Sequence, residues 1–334
     1  MDYVNGRRDG PQQHNWPTIF GCNMLYFIVL ALMILLSGAV GVLRLELADT
    51  GQWLTATFIM EILVIGIPPV LYLLLRKIDI RQTVRLNKTG VKELLLVLGM
   101  AVSGYGIVSF INLVWYWILS RFGTPVAPVY PPINNGGQYI TGLLVMALTP
   151  ALVEEFLFRG VMLRGYERLG TKVSIITTGV LFAVLHLRIT NIPAIIFLGI
   201  MIGYVVVRTN SIFSGVLYHF TQNAISISLL YFQEIARDYL QDAGAVQDNM
   251  ANIPPEMWIG VIIVWGIIAL FSIGFFLLCV TALHRTTRFR AEAESPVTME
   301  TRVLTLKEML PLIGSGIIVA ITLLIEIMAM IGKI

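Results

Sequence analysis

Two adjacent carboxylates and an arginine lie inside a strongly apolar stretch, TPALVEEFLFR, at positions 149–159. A charged residue at the centre of a membrane helix costs about 2.5–3.5 kcal/mol on insertion scales, so it marks a functional site by default. Glu155 and Arg159 are spaced i, i+4 and can pair on one helical face. Glu154 is turned about 100° away. We therefore expect Glu155 and Arg159 to be structural partners and Glu154 to be free for chemistry, since an anchoring ion pair does not explain Glu154.

Two later apolar stretches also carry polar residues, FAVLH at 182–186 and HFTQN at 219–223. His186 and His219 are two of only four histidines in the chain, and Asn223 follows His219 at i, i+4. A lone histidine in a helix is usually a hydrogen-bonded core residue, but this combination favours a common site. At a rise of about 1.5 Å per residue, Glu154 and both histidines can meet near the midplane. We expect them to share a water-filled cavity with Asn223.

Glutamate and histidine around a water molecule form a general acid–base set for hydrolysis. Histidine and asparagine N–H groups can donate to a developing oxyanion. Zinc hydrolysis is the competing account, and its ligands would be Glu154, His186 and His219. The one-helix signature His-Glu-x-x-His is absent, so the spacing does not demand a metal. The sequence also lacks a Gly-x-Ser-x-Gly elbow, and a serine nucleophile is unsupported.

The composition places these residues in a membrane protein. Hydrophobic residues make up 57% of the 334 positions, charged residues only 13%, and the mean hydropathy is +0.80. Soluble domains carry about 25% charged residues. Long apolar runs predict an all-α, polytopic bundle of about nine spans, because each span needs about 20 apolar residues. The predicted spans are about 17–43, 52–75, 91–119, 139–163, 172–187, 192–208, 212–232, 257–283 and 309–331.

The basic residues predict the orientation of the bundle. Five basic clusters fall on the same side if the N-terminus is cytoplasmic, as the positive-inside rule requires. The first cluster contains Arg7 and Arg8. The opposite side receives a Pro/Gly-rich loop near 122–137 and an acidic stretch at 233–255. The polar connector 285–308 is then cytoplasmic, and nothing in the charge pattern indicates nucleic-acid binding.

Four other residues in apolar runs are given ordinary structural interpretations. Glu61 and Glu326 have no evident partner, and we interpret them as facing a neighbouring helix or the membrane interface. Cys22 and Cys279 show no metal-type spacing and no disulfide framework. Both cysteines are expected to be small buried hydrophobes, and neither lies near a catalytic-looking histidine.

The order Glu-Glu-x-x-x-Arg, Phe-x-x-x-His and His-x-x-x-Asn on consecutive apolar segments resembles the CAAX protease and bacteriocin-processing (CPBP, or ABI) family of intramembrane endopeptidases. The type II CAAX prenyl endopeptidases are the relevant branch. The resemblance covers about 140–230, and every motif position is present, including Phe182. It implies that Glu154 and His186 activate water, that His219 and Asn223 stabilise the oxyanion, and that Glu155 and Arg159 support the site. The family has been described both as metalloproteases and as glutamate-type proteases. We favour the metal-independent version, with zinc as the alternative.

The sequence thus predicts a multi-pass protein of the bacterial plasma membrane that cleaves a membrane-embedded or lipidated peptide or protein. Two alternatives come from other classes: a non-catalytic scaffold or bacteriocin-immunity protein, and a proton-coupled transporter. The transporter is disfavoured because no internal repeat is visible. Three regions are expected: 1–138 with a tail and three accessory spans, 139–232 with a catalytic core of four spans, and 233–334 with an external loop, two accessory spans and a cytoplasmic connector.

Overall fold

The computed structural model describes residues 15–42, 49–126, 130–242, 257–288 and 304–332, and these contain helices and no β-strand. The all-α membrane bundle is therefore confirmed. Its nine main helices coincide with the nine predicted spans. They are α1 Ile19–Val42, α2 Thr50–Leu75, α3 Val91–Leu119, α4 Gly136–Leu169, α5 Thr171–Leu185, α6 Ile192–Thr209, α7 Ile212–Asp242, α8 Trp258–Thr286 and α9 Leu306–Met330.

Seven of these helices are long and apolar enough to cross a membrane, and α5 and α7 are the two that are not. Helix α5 has 15 residues, about 22 Å at 1.5 Å per residue, which is shorter than a hydrocarbon core of about 30 Å. Helix α7 carries the polar run His219–Asn223 and continues ten residues beyond the predicted end at 232. An ion pair at i, i+3 between Glu234 and Arg237 (2.6 Å) supports this extension, so the loop predicted there begins too early.

Some of the predicted features lie outside the described residues. These are the basic cluster at Arg7 and Arg8, the acidic loop from 243 to its end, and most of the connector 285–308. The cytoplasmic orientation of the N-terminus stays a prediction. Cys22 and Cys279 are both buried and free, as expected.

Helices α2 and α4 each contain a π-helical turn that ends two residues before a proline. In α2 the turn Glu61–Gly66 precedes Pro68, and the Ile67 N–H bonds the carbonyl of Ile62 five residues back. In α4 the turn Leu143–Leu148 precedes Pro150, and a similar bond closes it. Proline lacks an N–H and disturbs the α-helical ladder. The wide turn absorbs the defect, so neither proline interrupts its span.

A second π turn in α4, Phe156–Met162, begins directly after Glu155 and contains Arg159. Such turns are rare and occur often at functional sites. Helices α5 and α6 pack closely beside it, because a Cβ at Gly199 would lie only 2.9 Å from the Gly179 carbonyl oxygen. Any side chain at Gly199 would therefore push α5 and α6 apart. This contact fixes the distance between the two helices that flank Arg159.

Candidate active site

Arg159 and Glu155 form a completely buried ion pair on α4. The guanidinium Nη1 lies 3.0 Å from the Glu155 Oε1, at the predicted i, i+4 spacing, and both side chains are 0% exposed. The Nη2 of Arg159 donates to the Gly199 carbonyl of α6 at 2.8 Å. The predicted contact is thus confirmed. It also ties α4 to α6, because the arginine bonds both its own helix and the neighbouring one.

His219 of α7 lies between the two glutamates. Its Nδ1 is 2.9 Å from the Glu155 Oε1, within hydrogen-bonding distance. Its Nε2 is 3.9 Å from the Glu154 Oε2, which is too long for a direct hydrogen bond. The i, i+4 spacing predicted the contact of Glu155 with Arg159 but not its second contact, with His219. One oxygen of Glu155 holds both Arg159 and His219.

Glu154 is almost fully buried, and its Oε2 has no hydrogen-bond partner among the residues that the structure describes. A buried carboxylate oxygen without a partner is costly. Since the His219 Nε2 is the nearest recorded imidazole nitrogen, at 3.9 Å, the gap between them suits a bridging water or a substrate atom.

Phe182 of α5 packs against the charged groups of the site. The Arg159 guanidinium carbon lies 4.6 Å from the centre of the Phe182 ring, a cation–π distance. The His219 ring stands edge-on at 5.6 Å, and the Phe158 ring at 5.2 Å. Sequence reasoning used Phe182 only as a motif position. The structure gives it a packing role, because it keeps the arginine and the imidazole in place.

His186 is the C-cap residue that directly follows α5, and its side chain is exposed. Its Nδ1 lies 2.8 Å from the carbonyl oxygen of Phe182, which can only accept. In the neutral ring that bond assigns the proton to Nδ1 and leaves Nε2 as an acceptor. The structure shows no hydrogen bond or ion pair from His186 to Glu154 within the described residues. The two predicted water-activating groups are therefore on neighbouring elements but are not in direct contact.

Asn223 follows His219 by one turn of α7 and is partly buried. Among the described residues no hydrogen bond involves its amide, so the group is available to a ligand. Its neighbour Gln222 is buried and donates to the Ala101 carbonyl of α3 at 2.7 Å. Of the two adjacent amides, Gln222 serves helix packing and Asn223 remains free for binding.

Glu61 is a member of the site that sequence reasoning missed. It lies in the π turn of α2, its Oε2 is buried without a hydrogen-bond partner in the described residues, and its carboxylate interacts electrostatically with that of Glu154. Glu61 thus faces a neighbouring helix, as interpreted, but its place beside Glu154 was not predicted. The available signal was its charge within an apolar span, which is a functional hypothesis by default.

The proposed zinc ligands do not fit a metal centre in this arrangement. A catalytic zinc needs three protein ligands with distances near 2.0–2.2 Å. Within the described residues no three His, Cys, Asp or Glu side chains lie close enough together to hold a metal ion. Glu154 and His219 approach each other, whereas His186 is exposed at the end of α5.

The bundle and its buried Glu–His–Arg cluster define a multi-pass membrane protein with a hydrolase-like polar centre. Residues 136–225 match the family model of the "Type II CAAX prenyl endopeptidase Rce1-like" proteins. The matched segment begins with α4, ends within α7 and contains all three motifs, which confirms the resemblance seen in the sequence. The match supports an intramembrane endopeptidase at the level of the family. No curated protein and no solved structure matches the chain.

Proposed function

We propose that this protein is an intramembrane endopeptidase that hydrolyses a peptide bond in a membrane-embedded or lipidated peptide. The observation that carries the proposal is the Glu154 Oε2, buried without a partner and 3.9 Å from the His219 Nε2. A scaffold would have no use for such a costly group. The family match supports the same reaction class.

In the proposed reaction, Glu154 acts as the general base. It takes a proton from a water molecule as the water oxygen attacks the carbonyl carbon of the scissile bond. The tetrahedral intermediate then collapses, the C–N bond breaks, and the proton held by Glu154 passes to the leaving amine. His186 assists through its Nε2, which is left as an acceptor because Nδ1 donates to the Phe182 carbonyl.

His219 and Asn223 would stabilise the oxyanion. For His219 this role requires a proton on Nε2 while Nδ1–H remains bonded to Glu155, so the ring must be doubly protonated. The Glu155 carboxylate at 2.9 Å supplies the compensating charge. Glu155 would thereby orient the imidazole and stabilise its cation, as the carboxylate does in a catalytic triad.

The proposal is tested with purified protein in lipid vesicles and an internally quenched reporter peptide that carries a farnesylated cysteine near its C-terminus. The same peptide without the lipid is the second arm. We expect fluorescence to rise and mass spectrometry to show cleavage at one bond. Cleavage of the farnesylated peptide alone would assign a lipidated substrate, and cleavage of both would assign a peptide substrate without lipid dependence. Binding without cleavage of either peptide would favour the scaffold alternative.

Exhaustive chelation is a further arm of the same assay. We expect the cleavage rate to stay within about twofold of the untreated protein, because the residues do not form a three-ligand zinc site. Loss of cleavage that added zinc restores would contradict the metal-independent version. In that case Glu154 and His219, which approach each other in the structure, would be the first ligands to test.

Replacing Asn223 by alanine is expected to lower kcat about 10²–10³-fold, the usual effect of removing one oxyanion donor. The KM for the reporter should change little, because the amide acts mainly in the transition state. The matched control is Thr221→Val on the same helix, since the Thr221 hydroxyl only bonds the Leu217 carbonyl of its own helix. If the Asn223→Ala variant has the same kcat as the control, Asn223 does not stabilise the oxyanion.

A further inference from the structure

Both polar groups of one backbone residue, Ile189, are held by side chains from accessory helices. The Ile189 N–H donates to the Glu326 Oε2 of α9 at 2.7 Å. The Ile189 carbonyl accepts from the Trp115 Nε1 of α3 at 2.7 Å. The sequence showed no evident partner for Glu326, and the structure shows that its carboxylate faces the turn between α5 and α6. Two helices outside the matched family segment thus hold the same residue from two sides.

The held residue lies just after His186. His186 directly follows α5 as its C-cap residue. After Leu187 and Arg188, the 3₁₀ turn Ile189–Asn191 leads into α6. Leu187 has φ +52°, in the left-handed region that a leucine rarely adopts. Such a conformation is strained and persists only where the surroundings impose it. The two hydrogen bonds at Ile189 supply that restraint two residues further along the chain.

Glu326 is a costly residue to place in α9 if its only role were to pack helices together. A carboxylate within a membrane span is costly, and the Glu326 Oε1 is buried without a partner among the described residues. Its other oxygen makes a charge-assisted bond to a backbone N–H, roughly twice as strong as a neutral one. A hydrogen bond of this kind fixes the backbone at Ile189 more firmly than apolar contact between α9 and the loop.

We propose that Glu326 and Trp115 are positioning residues that fix the segment 186–191 and thereby direct the His186 imidazole toward the substrate. The proposal rests on the function proposed for His186. It requires that the accessory helices α3 and α9 act on the catalytic segment through Ile189. Neither residue touches the reacting atoms, so both act through the backbone that follows His186.

The first test compares Glu326→Leu, which removes the acceptor, with Glu326→Gln, which keeps an acceptor oxygen. Glu326→Leu is expected to lower kcat about tenfold with KM unchanged, since a charge-assisted hydrogen bond that orients a catalytic group is lost. Glu326→Gln should restore most of the rate. Thr322→Val, one turn earlier on α9, is the control, because the Thr322 hydroxyl bonds only the Ile318 carbonyl of its own helix.

Hydrogen exchange gives a readout that does not depend on catalysis. Exchange in the segment 186–191 should accelerate at least tenfold in Glu326→Leu and stay unchanged in Thr322→Val. If the unaltered protein cleaves no reporter, the proposed function fails, while the exchange result still tests whether Glu326 holds the segment. If exchange and kcat are both unchanged in Glu326→Leu, the positioning role is overturned and the proposed function is untouched.

A second pair of variants, on α3, tests the same restraint in case Glu326→Leu does not fold. Trp115→Phe removes the indole N–H that bonds Ile189, whereas Trp117→Phe removes an indole N–H that has no partner among the described residues. We expect Trp115→Phe to lower kcat about threefold to tenfold and to raise exchange in 186–191, because a neutral hydrogen bond is lost. Equal behaviour of the two tryptophan variants would overturn the role of Trp115.

Discussion

Replacing Glu154 by glutamine is expected to lower kcat for the reporter peptide by about 10²–10⁴-fold, the contribution of a general base. The variant should remain folded. Glu154 is almost fully buried and its Oε2 has no hydrogen-bond partner in the described residues, so a neutral amide of the same shape removes a desolvated charge without breaking a bond. The midpoint of thermal unfolding should therefore stay equal or rise, as often happens when a costly active-site group is replaced.

The measurement is a comparison of cleavage and unfolding in the same vesicle preparation. Glu234→Gln makes the same chemical change near the polar end of α7 and should retain full activity. If the kcat of the Glu154→Gln protein lies within a few fold of that of the unaltered chain, Glu154 is not the catalytic base, and the scaffold alternative is favoured. An inactive but folded variant should also retain substrate, so crosslinking and peptide identification would reveal what it binds.

The helices and the buried ion pair could be predicted from the sequence because both depend on local spacing. Long apolar runs marked the helices, and the i, i+4 interval of Glu155 and Arg159 already placed these two residues on one face. The helical repeat of about 3.6 residues sets contacts within one helix, whatever that helix packs against. The π turns of α2 and α4 are different, since they depend on how the backbone accommodates a proline inside each helix.

The contacts between helices could not be predicted, because they depend on how helices rotate against one another. His219 is 64 residues from Glu155 in the chain, and nothing in the sequence says which glutamate its Nδ1 meets. The same holds for Glu61 beside Glu154 and for Glu326 at the Ile189 N–H, 137 residues away. The motif order pointed to Glu155, Arg159 and His219, which are in contact in the structure. Which of these residues contact one another depends on how α2, α4 and α7 pack together.

The geometry leaves the Glu155 carboxylate with two tasks that mutagenesis can separate. Its Oε1 lies 3.0 Å from the Arg159 Nη1 and 2.9 Å from the His219 Nδ1. Its other oxygen has no hydrogen-bond partner among the described residues and lies against Gly215, where a Cβ would come within 3.1 Å. One oxygen therefore carries both the stabilising contact to arginine and the orienting contact to histidine.

Replacing Glu155 by alanine is expected to lower the free energy of unfolding by about 3–5 kcal/mol, the cost of leaving a buried charge unpaired. Arg159 is 0% exposed and, among the described residues, would keep only one hydrogen-bond acceptor, the Gly199 carbonyl at 2.8 Å. Titration with sodium dodecyl sulfate would measure the loss. The control is Glu234→Ala, which breaks an ion pair whose arginine is 41% exposed and should cost less than about 1 kcal/mol.

The double variant Glu155→Leu/Arg159→Met separates stability from catalysis. Replacing a buried ion pair by apolar residues of similar volume is often neutral or stabilising, so the double variant should regain most of the unfolding free energy lost in Glu155→Ala. Activity should not return, because the His219 Nδ1 still lacks its acceptor and the imidazolium lacks its counter-charge. Recovery of both stability and kcat would show that Glu155 pairs only with Arg159 and does not orient His219.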